Sequence, residues 1–239
     1  MSSRVDLSAV AVPSSLAHLL PLLPAPPARI LEAGCGRGAL AAALLERGYA
    51  VTGVDRDEDM TSAAAARGVP VLRADIRDLA GEYDVVLFTR SLHHAEDLDD
   101  LLSHAAKLLV PGGQLMIEEF GWERVDRAAA DFLYDNRALL VATGLFAGEL
   151  PAGDLLESWI ADHDFLHEGS SMLAALSRIG TDLTTVGTPM LWRLVDGRGG
   201  AWADAARATD ALTAIRLAEE RRIGAGTLPA VGLVASVSV

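Results

Sequence analysis

The sequence predicts an α/β fold built on an open, parallel sheet, and three observations carry that expectation. Short apolar runs recur between residues 29 and 118. Each is followed by a turn and then by an amphipathic stretch, so strand, turn and helix repeat in a fixed order. The runs are continuous rather than alternating in polarity, as strands buried on both faces are. Periodicity alone does not separate strand from helix in runs this short; the repeated order does.

Taken in order, residues 1–28 form a lead-in with one helix expected around Ser15–Leu20, since Pro13, Pro21, Pro24, Pro26 and Pro27 cut the rest. A first strand, Arg29–Ala33, ends in Gly34-Cys35-Gly36-Arg37-Gly38, and a helix follows over Ala39–Arg47. The second strand, Ala50–Val54, ends at Asp55 and leads into a helix over Glu58–Arg67. Val69–Ala74 is the third strand, ending at Asp75, and Tyr83–Phe88 the fourth. A helix over Leu98–Val110 stops at Pro111-Gly112-Gly113, ahead of a fifth strand, Gln114–Glu118. Residues 29–121 are thus read as the core.

Residues 122–182 break the rhythm. Trp122–Thr143, Asp154–His167 and Ser171–Ile179 read as helices, too much chain for one crossover, so the block is expected to be a helical insertion covering the substrate. Packing on the sheet's flank is the alternative. The alternation resumes over 183–239, with a strand at Met190–Val195, a helix at Trp202–Arg222 and a last strand at Val231–Val239.

The chain has 239 residues, enough for one large domain or two small ones, and 51% of them are hydrophobic, which excludes wholesale disorder. Asp and Glu outnumber Lys and Arg by 33 to 20, for a net charge of −13. Such a surface repels phosphate backbones and anionic lipid, so neither nucleic acid nor membrane is the expected partner. Cys35 is the single cysteine, which leaves no intrachain disulfide and no cysteine-based zinc site. Neither an export signal nor a run of about 18 apolar residues is seen, and the expected compartment is the cytoplasm. Lys107 is the one lysine, read with the many alanines as coding bias.

Chemistry concentrates at the end of the first strand. Three glycines at alternate positions, 34, 36 and 38, allow positive φ and remove Cβ atoms where a ligand meets the start of a helix. Gly34-x-Gly36-x-x-Ala39 also satisfies the dinucleotide fingerprint, and Asp55 suits the ribose of either NAD or another nucleoside cofactor. These residues imply nucleoside binding without fixing its identity.

Further features separate the possibilities: Glu32 ahead of the glycines, Ala74-Asp75-Ile76, Leu92-His93-His94 beyond the fourth strand, and Leu109-Val110-Pro111-Gly112-Gly113 before the fifth. In this order and spacing, residues 28–120 resemble the class I S-adenosylmethionine-dependent methyltransferases, most closely the branch acting on small molecules. Met190–Val239 fits that family's closing strand, helix and antiparallel strand, while 122–182 lies outside the resemblance. The resemblance implies a Rossmann-like, seven-stranded, mostly parallel sheet with an antiparallel last strand. It also implies S-adenosyl-L-methionine as cofactor and a small-molecule acceptor as partner, in a monomer or homodimer.

At matching positions it implies that Gly34 and Gly36 pass along the methionine part and ribose, with Glu32 near the ammonium, directly or through water. Asp55 would hold the ribose hydroxyls and Asp75 the adenine N6, with Arg56, Met60 and Ile76 bracketing the ring. Thr89 and Arg90 would border the methionine tail and methyl group. Arg37 stands where small or hydroxyl residues are frequent and is expected to point to solvent. Arg90 places a cation near a sulfonium and is expected to pair with an acidic substrate or with an acid such as Glu119.

Methyl transfer is an in-line displacement that alignment and desolvation accelerate; a general base matters only where the acceptor must lose a proton. His93 or His94 is a candidate for that base, the alternative being that they cap the next turn and pack on the nucleoside. Glu119 is a candidate for contacting substrate, although successive strand residues face opposite ways and only one of Glu118 and Glu119 enters the site. His163 and His167 share a helical spacing but lack a third ligand, so no metal is expected. Trp122, Phe132, Tyr134 and Trp159 are either an aromatic wall or core. Two other functions compete: an NAD-dependent oxidoreductase, for which no Tyr-x-x-x-Lys pair is found, and a non-methylating binding or regulatory module that keeps the fold.

Overall fold

The computed structural model describes residues 6–196 and 201–239; the first five residues of the lead-in and residues 197–200 lie outside the described residues. The chain divides into two compact units. One comprises residues 14–119, 167–186 and 233–239 and holds nearly all of the main sheet. The other comprises residues 1–13, 120–166 and 187–232.

The main sheet has seven strands: β1 (Arg29–Ala33), β2 (Ala50–Asp55), β3 (Val71–Arg73), β4 (Tyr83–Thr89), β5 (Leu109–Phe120), β7 (Thr181–Thr188) and β9 (Gly232–Ser238). Their spatial order is β3-β2-β1-β4-β5-β9-β7, and the first five pair in parallel. The order reverses between β1 and β4, the place where open α/β sheets bind ligands beyond their carboxyl ends. β9 runs antiparallel to β5: Gly112 donates to the Val239 carbonyl, Val239 to that of Gly113, and at the far end Gly121 donates to that of Val231.

The strands form where expected because their residues are buried on both faces. Leu31, Ala33, Val86, Phe88, Leu115 and Ile117 pack with Leu98, Leu102 and Ala105 of α4 (Leu98–Ala106) and with Met172, Ala175 and Leu176 of α7 (Gly169–Ile179). Ile30, Val85, Leu87 and Met116 are buried on the other face. There α1 (Ser8–Leu19) enters the sheet unit and its Ser15 bonds Glu118. α2 (Ala39–Leu45) packs on β2, and α3 (Glu58–Ala66) on β2 and β3.

The second unit has its own core. Phe132 and Leu133 of α5 (Arg127–Ala142), Trp159 of α6 (Leu155–His163), and Leu191 and Trp192 of α8 (Leu191–Leu194) meet Leu212 and Ile215 of α9 (Ala205–Gly224). A two-stranded ribbon of β6 (Phe146–Ala147) and β8 (Ala201–Trp202), which no local pattern announces, completes it.

Several elements differ from expectation. α1 spans Ser8–Leu19 rather than Ser15–Leu20, with Pro13 inside it, because one missing N–H breaks a single helical bond. α4 stops at Ala106, and β5 already begins at Leu109, running through Pro111-Gly112-Gly113. Met190–Val195 is not a strand. The strand is β7, with four threonines in eight residues, and Leu191–Leu194 is helical. The reason for that helix is distant in sequence: the buried Glu219 carboxylate accepts from the backbone N–H groups of Met190, Leu191 and Trp192 at 2.7, 2.9 and 2.9 Å. The units also divide the chain differently from an insertion at 122–182, since α7 belongs to the sheet unit and residues 187–232 to the other.

Candidate functional site

The turn after β1 is shaped by its glycines. Gly34 and Gly36 have φ of 71° and 54°. A Cβ on Gly34 would lie 2.8 Å from that of Ser91, so packing against the loop after β4 excludes a side chain there. At Gly36 a Cβ would meet nothing within 4 Å, which marks the open side of the turn. Cys35 between them is buried, its thiol pushed up to about 12 by burial and by the charges of Glu32 and Asp55, so it remains protonated and inert. Arg37 is exposed.

Asp55, at the tip of β2, is tied into this turn. Its Oδ2 accepts from Gly36 N–H at 2.9 Å and its Oδ1 from Asp57 N–H at 3.0 Å. Each carboxylate oxygen accepts two hydrogen bonds, so both retain capacity for a ribose hydroxyl. Asp75 does not. Its Oδ1 accepts from Arg77 N and Nε at 2.9 and 3.0 Å and its Oδ2 from Arg77 Nη2 at 2.9 Å, while Arg56 Nη2 forms an ion pair with Oδ2 at 2.7 Å. These bonds, Arg77's first, hold its carboxyl down at about 2. Arg77 fills three acceptor positions and the Arg56 cation lies against the fourth, so the expected bond to adenine N6 would require Arg56, the more exposed arginine, to move away from Oδ2. Asp75→Ala is therefore expected to weaken nucleoside binding less than Asp55→Ala does, by direct titration. Ile76, next to Asp75 in the chain, is buried, and Met60 of α3 is half-buried.

Register decides which acids face which way. Thr89 of β4 pairs with Glu118 of β5, and Leu87 with Glu32 of β1, so Glu32, Thr89 and Glu118 share one face. Glu32 is fully buried: its Oε1 accepts from Thr89 Oγ1 at 3.0 Å, and its Oε2 has no hydrogen-bond partner. Burial raises its carboxyl to about 7, opposed by the Thr89 hydroxyl and the Arg90 charge. Glu118 accepts from Arg90 Nη1 at 3.0 Å and Ser15 Oγ at 2.8 Å on the same oxygen. Arg90 thus pairs with Glu118, not with Glu119 as expected, because Glu119 points to the opposite face.

Glu119 is completely buried there. It accepts from Leu92 N–H at 2.6 Å and from His93 Nδ1–H at 2.7 Å. The turn Leu92–His94 is also held by His167, whose backbone N–H donates to the His93 carbonyl at 3.1 Å and whose Nε2 bonds the Ala95 carbonyl at 2.8 Å. The Glu119 carboxylate is thus held between the Leu92 amide and the His93 ring, with none of its surface exposed. The His94 ring lies 4.2 Å from that of His93, and His94 is exposed.

The remaining candidates are structural. His163 stacks on Trp159 at 3.7 Å, and Trp159, Phe132 and Tyr134 are buried in the core of their unit. Trp122 is half-buried, its indole donating to the Leu166 carbonyl at 3.1 Å. Among the described residues no three His, Cys, Asp or Glu groups are placed to hold a metal, and no helix is long and apolar enough to cross a membrane. Ser15, Ser91, Arg77 and His167 were missed as site residues. Ser15 and His167 reach their partners from 103 and 72 residues away, a distance over which sequence carries no signal.

Glu32 carries a pH prediction. Its folded-state pKa of about 7 exceeds the ordinary 4.5, so the folded chain holds the extra proton and stability falls as pH rises between those values. The loss should approach about 3 kcal/mol above neutrality, taking about 1.4 kcal/mol per unit. Urea midpoints at pH 5 and pH 8 should show Glu32→Gln losing that dependence.

The S-adenosylmethionine implied by the resemblance fits these residues on three counts. Gly36 has an open side, Asp55 has acceptor capacity beside it, and Glu32 has a buried oxygen without a partner. A family model described as a methyltransferase domain matches residues 9–162. A ubiquinone biosynthesis O-methyltransferase of Marinobacter nauticus is 31% identical over 118 residues, covering 44% of this chain and 48% of that protein. An uncharacterized methyltransferase of Mycobacterium tuberculosis is 39% identical over 99 residues, 38% of this chain and 50% of its own. The chain thus spans about half the length of the curated relatives it matches. Among solved structures, an S-adenosylmethionine-dependent methyltransferase from Mesorhizobium loti superposes with a TM-score of 0.60 at 19% identity, covering 98% of this chain and 100% of that one, a likeness of fold.

Proposed function

Because the chain belongs to the class I S-adenosylmethionine-dependent methyltransferase family, we propose that it transfers a methyl group to a small organic acceptor whose reacting atom is a hydroxyl oxygen. The observation that carries the cofactor half is the juxtaposition of Gly36, open on one side, with the Asp55 carboxylate that its amide bonds at 2.9 Å. The acceptor half is supported by the His93–Glu119 pair and by the O-methyltransferase name of the Marinobacter relative.

When bound, S-adenosylmethionine supplies an activated methyl group on a sulfonium, open to in-line attack. Asp55 receives the ribose hydroxyls, and the glycine turn leaves the backbone bare for the ligand. Glu32 faces the ammonium with its unpartnered oxygen. Glu119 accepts the proton-bearing Nδ1 of His93, which fixes the tautomer whose basic nitrogen is Nε2. That Nε2 would take the proton of an acceptor hydroxyl as its oxygen is methylated.

Incubation with methyl-labelled S-adenosylmethionine and a panel of phenols, aliphatic alcohols and amines tests this. Label is expected in a hydroxyl-bearing acceptor. Label confined to amines or carbon would overturn the acceptor assignment, and no transfer to any class, despite cofactor binding, would favour the non-methylating module.

A further inference from the structure

We propose that Arg90 receives the α-carboxylate of the cofactor, so that Arg90 and Glu32 together form a two-pole site for its amino-acid end. The proposal rests on the cofactor assignment above and goes further in naming what discriminates that end of the ligand.

Arg90 is a non-glycine residue at φ 54°, in the left-handed region, at the carboxyl tip of β4. Such strain persists only where the surroundings over-determine it, and it clusters at ligand clamps. Here the surroundings do so. The Arg90 backbone N–H donates to the Glu118 carbonyl at 2.8 Å, and its Nη1 to Glu118 Oε2 at 3.0 Å. Ser15 Oγ holds the same Glu118 oxygen at 2.8 Å. The carboxylate of Glu118 is thereby fixed, and the guanidinium with it.

A guanidinium has five N–H donors in a planar fork matched to a carboxylate. Glu118 engages one of them, through Nη1, and the side chain stays about one-third exposed. Next to Arg90 in sequence, Thr89 holds Glu32 by one oxygen and leaves the other unpartnered. Glu118, the partner of Arg90, lies opposite Thr89 on the sheet face that also carries Glu32. A cation with spare donors therefore stands close to a buried carboxylate with a spare acceptor. An α-amino acid group, with ammonium and carboxylate one carbon apart, satisfies both. A purely anionic acceptor would satisfy only Arg90.

The test compares S-adenosylhomocysteine with 5′-methylthioadenosine, which keeps the nucleoside and lacks the amino-acid end. Titration calorimetry is run on the parent protein, Arg90→Gly and Arg90→Lys. Glycine removes the guanidinium and accepts the left-handed backbone, a gain that opposes the loss of the ion pair to buried Glu118, and a cooperative melt checks that Arg90→Gly is folded before titration. Its affinity for S-adenosylhomocysteine should fall by about 10- to 100-fold, the loss of charge-assisted bonds to one carboxylate, with 5′-methylthioadenosine binding unchanged. Arg90→Lys should recover part of the loss. Unchanged S-adenosylhomocysteine affinity in Arg90→Gly would overturn the inference alone, as would equal weakening of both ligands. A parent protein that binds neither ligand would overturn the cofactor assignment as well.

Discussion

Replacing His93 by alanine is expected to lower kcat for a hydroxyl acceptor by about 10²- to 10⁴-fold, the usual contribution of a positioned general base. S-adenosylhomocysteine affinity should stay near the parent value, because the proposed nucleoside contacts lie at Asp55 and the glycine turn. Glu119→Gln keeps a hydrogen-bonding group of the same shape but removes the charge behind the imidazole, so its kcat should fall less than that of His93→Ala. Glu119 also holds Leu92 N–H at 2.6 Å, and an alanine there would leave both that amide and the imidazole unsupported. The isosteric variant is thus the informative one. Steady-state kinetics and cofactor titration on the same three proteins check the split. A cofactor affinity that falls in parallel with kcat would show that the turn supports the nucleoside rather than the proton transfer.

The second large effect is on stability. Glu219 is fully buried, and its carboxyl is raised chiefly by that burial against three backbone N–H groups that favour its charge. Removing it in Glu219→Ala strands all three donors at the start of α8 in a dry core. At about 1 kcal/mol or more for each unsatisfied donor, the loss should be about 3–5 kcal/mol. Glu219→Gln can still accept through its carbonyl oxygen and should lose about half as much. Urea unfolding followed by tryptophan fluorescence reports on this core directly, since Trp159 and Trp192 lie in it. A shift below about 1 kcal/mol for Glu219→Ala would show that α8 finds other acceptors.

The limits of the sequence follow from the range of the interactions that decide each feature. The turn at residues 34–38 and Asp55 were legible because three alternating glycines and a strand-terminal acid are local demands of backbone geometry. The strands at 29–33, 50–55 and 83–89 were legible for a similar reason: burial on both faces requires continuous apolar runs. Glu118 and Glu119 mark where legibility ends. Alternation says that the two face opposite ways, but only the pairing of Glu118 with Thr89 says which one meets Arg90. The segment 190–195 read as a strand because it is short and apolar. Its helix depends on Glu219, 27 to 29 residues further on. Asp75 illustrates a third kind of limit. Its position at the end of a strand was readable, whereas the engagement of its carboxylate by Arg56 and Arg77 is a matter of side-chain geometry.

The central claim is that the glycine turn and Asp55 hold S-adenosylmethionine rather than a nicotinamide dinucleotide. Titration of the purified protein with S-adenosylhomocysteine, NAD and NADP, alongside Asp55→Ala, tests it most directly. Binding of S-adenosylhomocysteine alone is predicted, weakened about 10-fold or more in the variant as hydrogen bonds from two ribose hydroxyls to a charged acceptor are lost. Binding of NAD or NADP in its place, or S-adenosylhomocysteine binding that is indifferent to Asp55, would contradict it.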